Sequence, residues 1–283
     1  MCRLLGILLS DSKPIGRMYN VVCDTLKRLC YEKHECHGDG CGIAWIDDDG
    51  WHIEKDTDPF WVSQKLRQLA LRLRSRVYVL HARKSTFPLH SPLGLRRENN
   101  HPYMARVNGK LYVFAHNGHI IFDSSKLRWD SEHRSVRFFG HSEELSSYGT
   151  DSEIFFRLLV YFFRKRGGRE PNDIIGALED ILHSGIIESY TAVNFILGGQ
   201  EYLYALRLYY GEKDADKYTL YYAHTENRHQ DTVTLYISSE PLADKTSRRG
   251  IGEPLVWKEI DNGELLYVPI INPAEIHIAK PHI

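Results

Sequence analysis

Apolar residues in this chain recur first at strand spacing, then at helical spacing, and finally at strand spacing again. Arg3 to Ser10 predicts a short apolar strand, ended by Asp11-Ser12-Lys13-Pro14. Residues 15–33 predict a helix, with Val22, Leu26, Leu29 and Cys30 returning on one face. Gly42 to Ile46 predicts a strand, and Asp47-Asp48-Asp49-Gly50 turns it into a second one over Trp51 to Lys55. Residues 60–74 predict an amphipathic helix carrying Val62, Leu66, Leu69 and Leu73 on one face. Val77 to Ala82 is the next strand. A Pro- and Asn-rich loop over 86–101 leads to two strands around Asn108-Gly109, a favoured two-residue hairpin turn.

The polar stretch 123–149 predicts a long insertion or a lid over a site. Thr150 with Glu153 three residues on reads as a capping box, opening a helix that Gly167-Gly168 stops. A further helix runs from Pro171 to His183. Six strand signatures follow: Thr191–Leu197, Tyr202–Tyr210, Tyr218–Ala223, Thr232–Ser238, Leu255–Glu259 and Leu265–Pro269. No repeat or linker interrupts the 283 residues. The order of strands, paired helices and more strands predicts an α+β fold in which helices enclose two sheets. One domain over 1–283 is expected, with core motifs in 2–160 and additional strands in 190–270.

Composition narrows the function classes. The 36 Lys+Arg nearly balance the 37 Asp+Glu without a long run of one sign, so charge gives nucleic-acid binding no support. The most apolar stretch, Ile154 to Phe163, is too short to span a bilayer and contains Arg157, so no membrane association is expected. The start lacks a secretory pattern, which points to the cytoplasm. The cysteines are Cys2, Cys23, Cys30, Cys36 and Cys41, an odd count unlike a secreted disulfide framework. A disulfide among the last four requires a source unusual for a cytosol. Cys36 and Cys41, with His34 and His37, hint at zinc, but the spacing is loose and no second pair closes a tetrahedral site. No metal site is therefore expected.

Chemistry concentrates in a few segments. Removal of Met1 would make Cys2 the first residue, with a thiol and a free α-amine on one carbon. An amine titrating near ~8 can take the thiol proton at neutral pH, so one residue supplies nucleophile and base. The alternative is a small buried residue opening a strand. His37-Gly-Asp-Gly-Cys-Gly-Ile-Ala-Trp45 allows tight backbone approach, or is only a hairpin. Arg83, in His81-Ala82-Arg83-Lys84-Ser85-Thr86, can hold a carboxylate by two parallel hydrogen bonds, or pair with a surface acid. Asn117-Gly118 can stabilise an oxyanion, or form a type I′ turn. Asp151, in Gly149-Thr150-Asp151-Ser152-Glu153, can bind an ammonium, or cap a helix.

The order and spacing of these segments, together with Glu98-Asn99-Asn100-His101-Pro102, resemble the class II glutamine amidotransferases, a branch of the N-terminal nucleophile hydrolases. The resemblance covers Cys2 to about Leu159 and continues through Ser238-Ser239-Glu240-Pro241-Leu242, similar to a late motif of the stand-alone members. It implies a four-layer αββα sandwich and no cofactor. Cys2 matches the nucleophile, and Asn117 and Gly118 match the oxyanion-hole pair. Arg83 matches the grip on the α-carboxylate, and Thr86 a further substrate contact. His101 sits in the His-Pro motif near the pocket, and Asp151 matches the acid that binds the α-amino group. Lys84, Cys41 and Phe87 depart from the multidomain synthases and resemble the small free-standing members. The implied reaction is hydrolysis of the γ-amide of glutamine or a related γ-glutamyl compound through a thioester on Cys2. The chain has no Gly-x-x-x-x-Gly-Lys-Ser/Thr run. It therefore either passes ammonia to a separate synthase subunit or hydrolyses a γ-glutamyl peptide or conjugate. A non-enzymatic γ-glutamyl-binding module is the alternative of another class.

Overall fold

The computed structural model describes residues 2–85, 95–211, 215–227, 232–242 and 255–282. The first half of the chain forms β1 (Arg3–Lys13), α1 (Gly16–Lys33), β2 (Cys41–Asp47), β3 (Gly50–Asp56), α2 (Gln64–Arg72), β4 (Ser75–Ala82), β5 (Tyr103–Val107) and β6 (Lys110–Phe122). A small excursion, β7 (Leu127–Asp130), β8 (Ser135–Phe138) and β9 (His141–Glu144), precedes α3 (Asp151–Arg166) and α4 (Asn172–His183). The remainder is β10 (Ile187–Gly198), β11 (Tyr202–Arg207), β12 (Tyr221–Asn227), β13 (Thr232–Ser238), β14 (Lys258–Glu259), β15 (Glu264–Pro269) and β16 (His277–Ala279).

Two sheets stack face to face. The first has strand order β14-β12-β13-β1-β4-β2-β3, the second β16-β15-β11-β10-β6-β5. The period of two along each strand builds the layers. Leu4 and Leu8 of β1, Val79 of β4 and Ala115 of β6 meet Ile196, Ala205 and Leu235 between the sheets. The alternate residues Leu5, Ile7 and Leu80 pack outward with Leu26 of α1 and Leu66 of α2. On the opposite side Phe114, Val193 and Phe195 pack against Phe155 and Phe156 of α3 and Leu178 of α4. The result is the αββα arrangement, held by strands apolar on both faces. Late strands complete both sheets: β12 and β13 extend the first, and β10, β11 and β15 the second.

Several local expectations are revised. Residues 123–149, expected as a long insertion or a lid over a site, are an insertion with secondary structure of its own. They form a three-stranded antiparallel meander, whose Leu127, Val136 and Phe138 join the core beside α3. Phe138 lies edge-on to Tyr161, ring centroids 5.3 Å apart. The apolar alternation within an otherwise polar stretch was the signal that this segment packs. The second helix is shorter than expected, because Ser63 caps it by accepting from the Leu66 amide at 3.2 Å, leaving Val62 outside and exposed. The capping box at Thr150 is half formed. Thr150 Oγ1 accepts from the Glu153 amide at 3.3 Å. The Glu153 carboxylate turns to the Ser146 and Ser147 amides, at 2.8 and 2.7 Å, and to Arg157 at 2.9 Å. The strand expected from Leu255 is described as strand only over β14, and β16 had not been expected.

Cys30 and Cys36 form a disulfide, while Cys2, Cys23 and Cys41 are free thiols. The bond ties the last turn of α1 to the segment entering His37-Gly38-Asp39-Gly40. It also removes Cys36 from any zinc set, and no cluster able to hold a metal occurs among the described residues. No described helix is long and apolar enough to cross a membrane.

Candidate active site

Strand register builds the site from two sheets. β1 pairs antiparallel with β4 so that Arg3 stands opposite Ala82. Cys2 therefore lies at the sheet end beside Arg83 and Lys84, with its Sγ 3.7 Å from the Lys84 carbonyl oxygen. β6 belongs to the other sheet and brings Asn117 to the same end. The Cys2 amide donates to Asn117 Oδ1 at 3.0 Å. The start of β1 is secured from the other side. Leu4 N donates to Ser239 Oγ at 3.0 Å and Ser239 N to the Leu4 carbonyl at 3.1 Å. Arg3 donates to Glu35 at 2.9 Å and lies 3.9 Å from Glu240. The Ser238-Ser239-Glu240 segment thus acts as a clamp on the residue next to Cys2. Burial pushes the Cys2 thiol pKa up, and the positive amino terminus and Arg83 pull against it without overcoming it.

Asn117 and Gly118 lie within the long strand β6, not in a turn. A backbone N–H can only donate, so the Cys2 contact fixes which end of the Asn117 amide is oxygen. The other end, Nδ2, is buried and makes no hydrogen bond among the described residues. Asn194 stands directly opposite on β10, and its amide is used at both ends. Its Nδ2 donates to the Tyr218 carbonyl at 3.0 Å and its Oδ1 accepts from Leu208 N at 2.8 Å. Two buried cross-strand asparagines therefore differ in kind: one is structural, the other keeps a free donor. Gly118 admits no side chain, since a Cβ there would lie 1.8 Å from the Ala192 carbonyl oxygen.

Arg83 is 5% exposed and sits in a cage of short loops. Its guanidinium donates to Asn100 Oδ1 at 3.5 Å and to Ser85 Oγ at 3.3 Å. Asn100 is itself fixed by donating to the Asp56 carbonyl at 2.7 Å, and Ser85 N donates to Asp39 at 2.7 Å. The backbone of Arg83 is bonded on both sides, to Gly40 and Asp39. The glycine-rich loop must approach the Asn-His-Pro loop closely. A Cβ on Gly42 would lie 2.1 Å from the His101 carbonyl oxygen, which explains the glycine.

Asp151 opens α3. It accepts from Ser152 N at 2.9 Å, from Ile120 N at 2.9 Å and from His119 Nδ1 at 3.2 Å. Burial alone would raise its pKa. The His119 hydrogen bond and the Ile120 amide outweigh that and hold the carboxyl below the usual range. His116 links the same elements. Its Nε2 lies 3.2 Å from the Ala192 carbonyl, which can only accept, so Nε2 carries the proton. Its Nδ1 then accepts from Ser152 Oγ at 2.9 Å.

The structure thus brings Cys2, Arg83, Asn117, Gly118 and Asp151 to one end of the two sheets. His101 has a different place. Its ring is buried between His81, at 4.1 Å, and Tyr103, at 4.7 Å, and neither nitrogen makes a hydrogen bond among the described residues. It supports the loop that cages Arg83. Thr86 lies outside the described residues. Sequence reasoning had not singled out His119, although the unusual run His116-Asn117-Gly118-His119 placed a second titratable ring beside the Asn-Gly pair. The contribution of Glu35 leaves no local sequence signal, because its partner Arg3 is 32 positions away.

A family model described as glutamine amidotransferases class-II matches residues 1–267, and the chain belongs to that family. An uncharacterised protein of Methanocaldococcus jannaschii is 27% identical over 286 aligned residues, covering 94% of this chain and 68% of that protein. Among solved structures, a predicted glutamine amidotransferase of Pseudomonas aeruginosa superposes with a TM-score of 0.57 at 17% identity, covering 97% of this chain and all of that one. A glutamine aminotransferase class-II domain protein of Silicibacter pomeroyi gives 0.54 at 17% identity, covering 99% of each. These two structures share the fold with this chain.

Proposed function

We propose that this protein hydrolyses the γ-amide of glutamine, or of a related γ-glutamyl compound, with Cys2 as an N-terminal nucleophile. The observation that carries the reading is the Asn117 side chain, whose oxygen holds the Cys2 nitrogen while its buried Nδ2 has no partner among the described residues. A buried donor left open costs free energy unless something fills it. The developing oxyanion of a tetrahedral intermediate is such a group.

In this reading Met1 is removed and Cys2 gains an α-amine. The neutral amine donates one hydrogen to Asn117 Oδ1 and offers its lone pair to the thiol proton, which offsets the burial that otherwise keeps the thiol protonated. The thiolate attacks the δ-carbonyl carbon and the C–S bond forms. The oxyanion rests on Asn117 Nδ2 and the Gly118 amide. Collapse breaks the C–N bond, and nitrogen leaves with a proton from the amine as ammonia or an amine. Water then attacks the thioester, the C–S bond breaks and glutamate departs. Arg83 binds the α-carboxylate and Asp151 the α-ammonium, so the two ends of the amino-acid moiety fix the carbonyl at the sulfur.

The late strands complete the same two sheets as the early motifs, which supports one domain over 1–283. Ammonia is either released or passed to a separate synthase subunit. The test is release of glutamate from glutamine by the purified protein and by Cys2→Ala. The reading expects turnover in the first and none in the second, with the fold retained. Turnover persisting in Cys2→Ala overturns it.

A further inference from the structure

His119 is half exposed and its Nδ1 lies 3.2 Å from Asp151 Oδ2. Asp151 has two oxygens with about four acceptor positions. Ser152 N and Ile120 N are backbone donors fixed by α3 and β6. Ser152 Oγ, 3.4 Å from Oδ1, is committed to His116 at 2.9 Å. His119 is the side chain that approaches the carboxylate from solvent, and its backbone is anchored independently by donation to Thr191 Oγ1 at 3.1 Å. It can therefore swing away without unravelling the strand. It is also the donor that carries a positive charge when protonated, as a substrate ammonium does.

We infer that His119 is a specificity-determining residue that occupies the ammonium position on Asp151 in the free protein, so that an α-amino substrate must displace it. The inference rests on the proposed role of Asp151 in binding the substrate α-amino group. Among the described residues the titratable groups facing His119 are Asp151 of α3 and His116 of β6. His116 is buried and held neutral by that burial, so Asp151 decides the charge of His119. The hydrogen bond from Asp151 raises the His119 pKa, burial opposing it.

Below that raised pKa His119 is cationic and paired, and substrate competes with it. Above it His119 is neutral and releases the carboxylate. Apparent affinity scales with the unpaired fraction, so KM for glutamine rises as pH falls, by up to about tenfold per pH unit when competition is complete. Linkage is reciprocal, so bound glutamine lowers the His119 pKa.

The test titrates the His119 ring by NMR in Cys2→Ala, without ligand and with saturating L-glutamine. It adds the pH dependence of KM for the wild-type enzyme and His119→Asn. A His119 pKa that falls on adding glutamine, with a KM profile flattened by His119→Asn, is the expected result. An unmoved or raised His119 pKa, while Asn117 and Arg83 resonances shift with glutamine, overturns the inference and leaves the proposed function standing. No resonance shifting anywhere overturns both.

Discussion

The Cys2 amide, just before β1, and the Asn117 side chain on β6 of the other sheet meet at 3.0 Å although they lie 115 residues apart. In the proposed mechanism one amide group performs two tasks: its oxygen positions Cys2, and its nitrogen, unpaired among the described residues, receives the oxyanion. Asn117→Ala is expected to lower kcat by about 10²–10³-fold, the usual cost of losing one oxyanion donor, with KM changed far less. Asn117→Asp keeps an acceptor for Cys2 but no donor for the oxyanion, so it should be equally impaired. Steady-state kinetics of both variants check this; an active Asn117→Asp contradicts the donor role.

Arg83 offers a planar fork, whereas lysine offers one flexible ammonium. Arg83→Lys keeps the charge but loses the geometry that Asn100 and Ser85 hold in place. KM for glutamine is expected to rise about 10–100-fold, the worth of a charge-assisted hydrogen bond of about 1.5–3 kcal/mol, with a smaller change in kcat. An unchanged KM rules out the carboxylate grip.

Much of this site was legible before any fold was known. Cys2, Arg83, the Asn117-Gly118 pair and Asp151 stand in short segments whose residue types suit the chemistry, and β1, β4 and β6 were visible from their apolar runs. What was not legible is what depends on pairing between distant strands. That Asn117 keeps a free donor while Asn194 does not is set by what lies across β10, Tyr218 and Leu208, and both read as asparagine in a strand. Residues 123–149 read only as a long insertion or a lid, because charges and serines mask the alternation of Leu127, Val136 and Phe138 that packs the meander against α3. The capping box was half right, since tertiary donors at Ser146 and Ser147 outcompeted the local one for Glu153.

Glu153 has a fully buried carboxylate serving two backbone amides and Arg157. Glu153→Ala leaves those donors and a mostly buried guanidinium unmatched. The expected loss is about 3–5 kcal/mol of folding stability, as for a buried ion pair deprived of one partner. Urea unfolding of the wild type and variant checks it; a change under about 0.5 kcal/mol contradicts the assignment.

Among the described residues four histidines are buried: His37, His81, His101 and His116. Burial lowers the pKa of each, that of His37 to about 3. The unfolded chain takes up these protons near pH ~6.5, while the native state refuses them. Stability is therefore retained above that pH and lost as pH falls through it, at about 1.4 kcal/mol per pH unit for each histidine. Asp151 and Glu153, whose carboxyls are held below the ordinary range, add to the loss only in more acidic solution. The urea midpoint should fall steeply between pH 7 and pH 5; a flat midpoint over that window contradicts the neutral buried rings.

The claim on which the rest depends is that Cys2 begins the mature polypeptide and attacks a γ-glutamyl carbonyl. The most direct measurement is mass spectrometry of the purified protein before and after exposure to 6-diazo-5-oxo-norleucine, a glutamine analogue with an electrophilic diazoketone. The account predicts a chain lacking Met1 and one covalent adduct, located on Cys2 and abolished by excess glutamine. A retained Met1, or a Cys2 left unmodified, would contradict it.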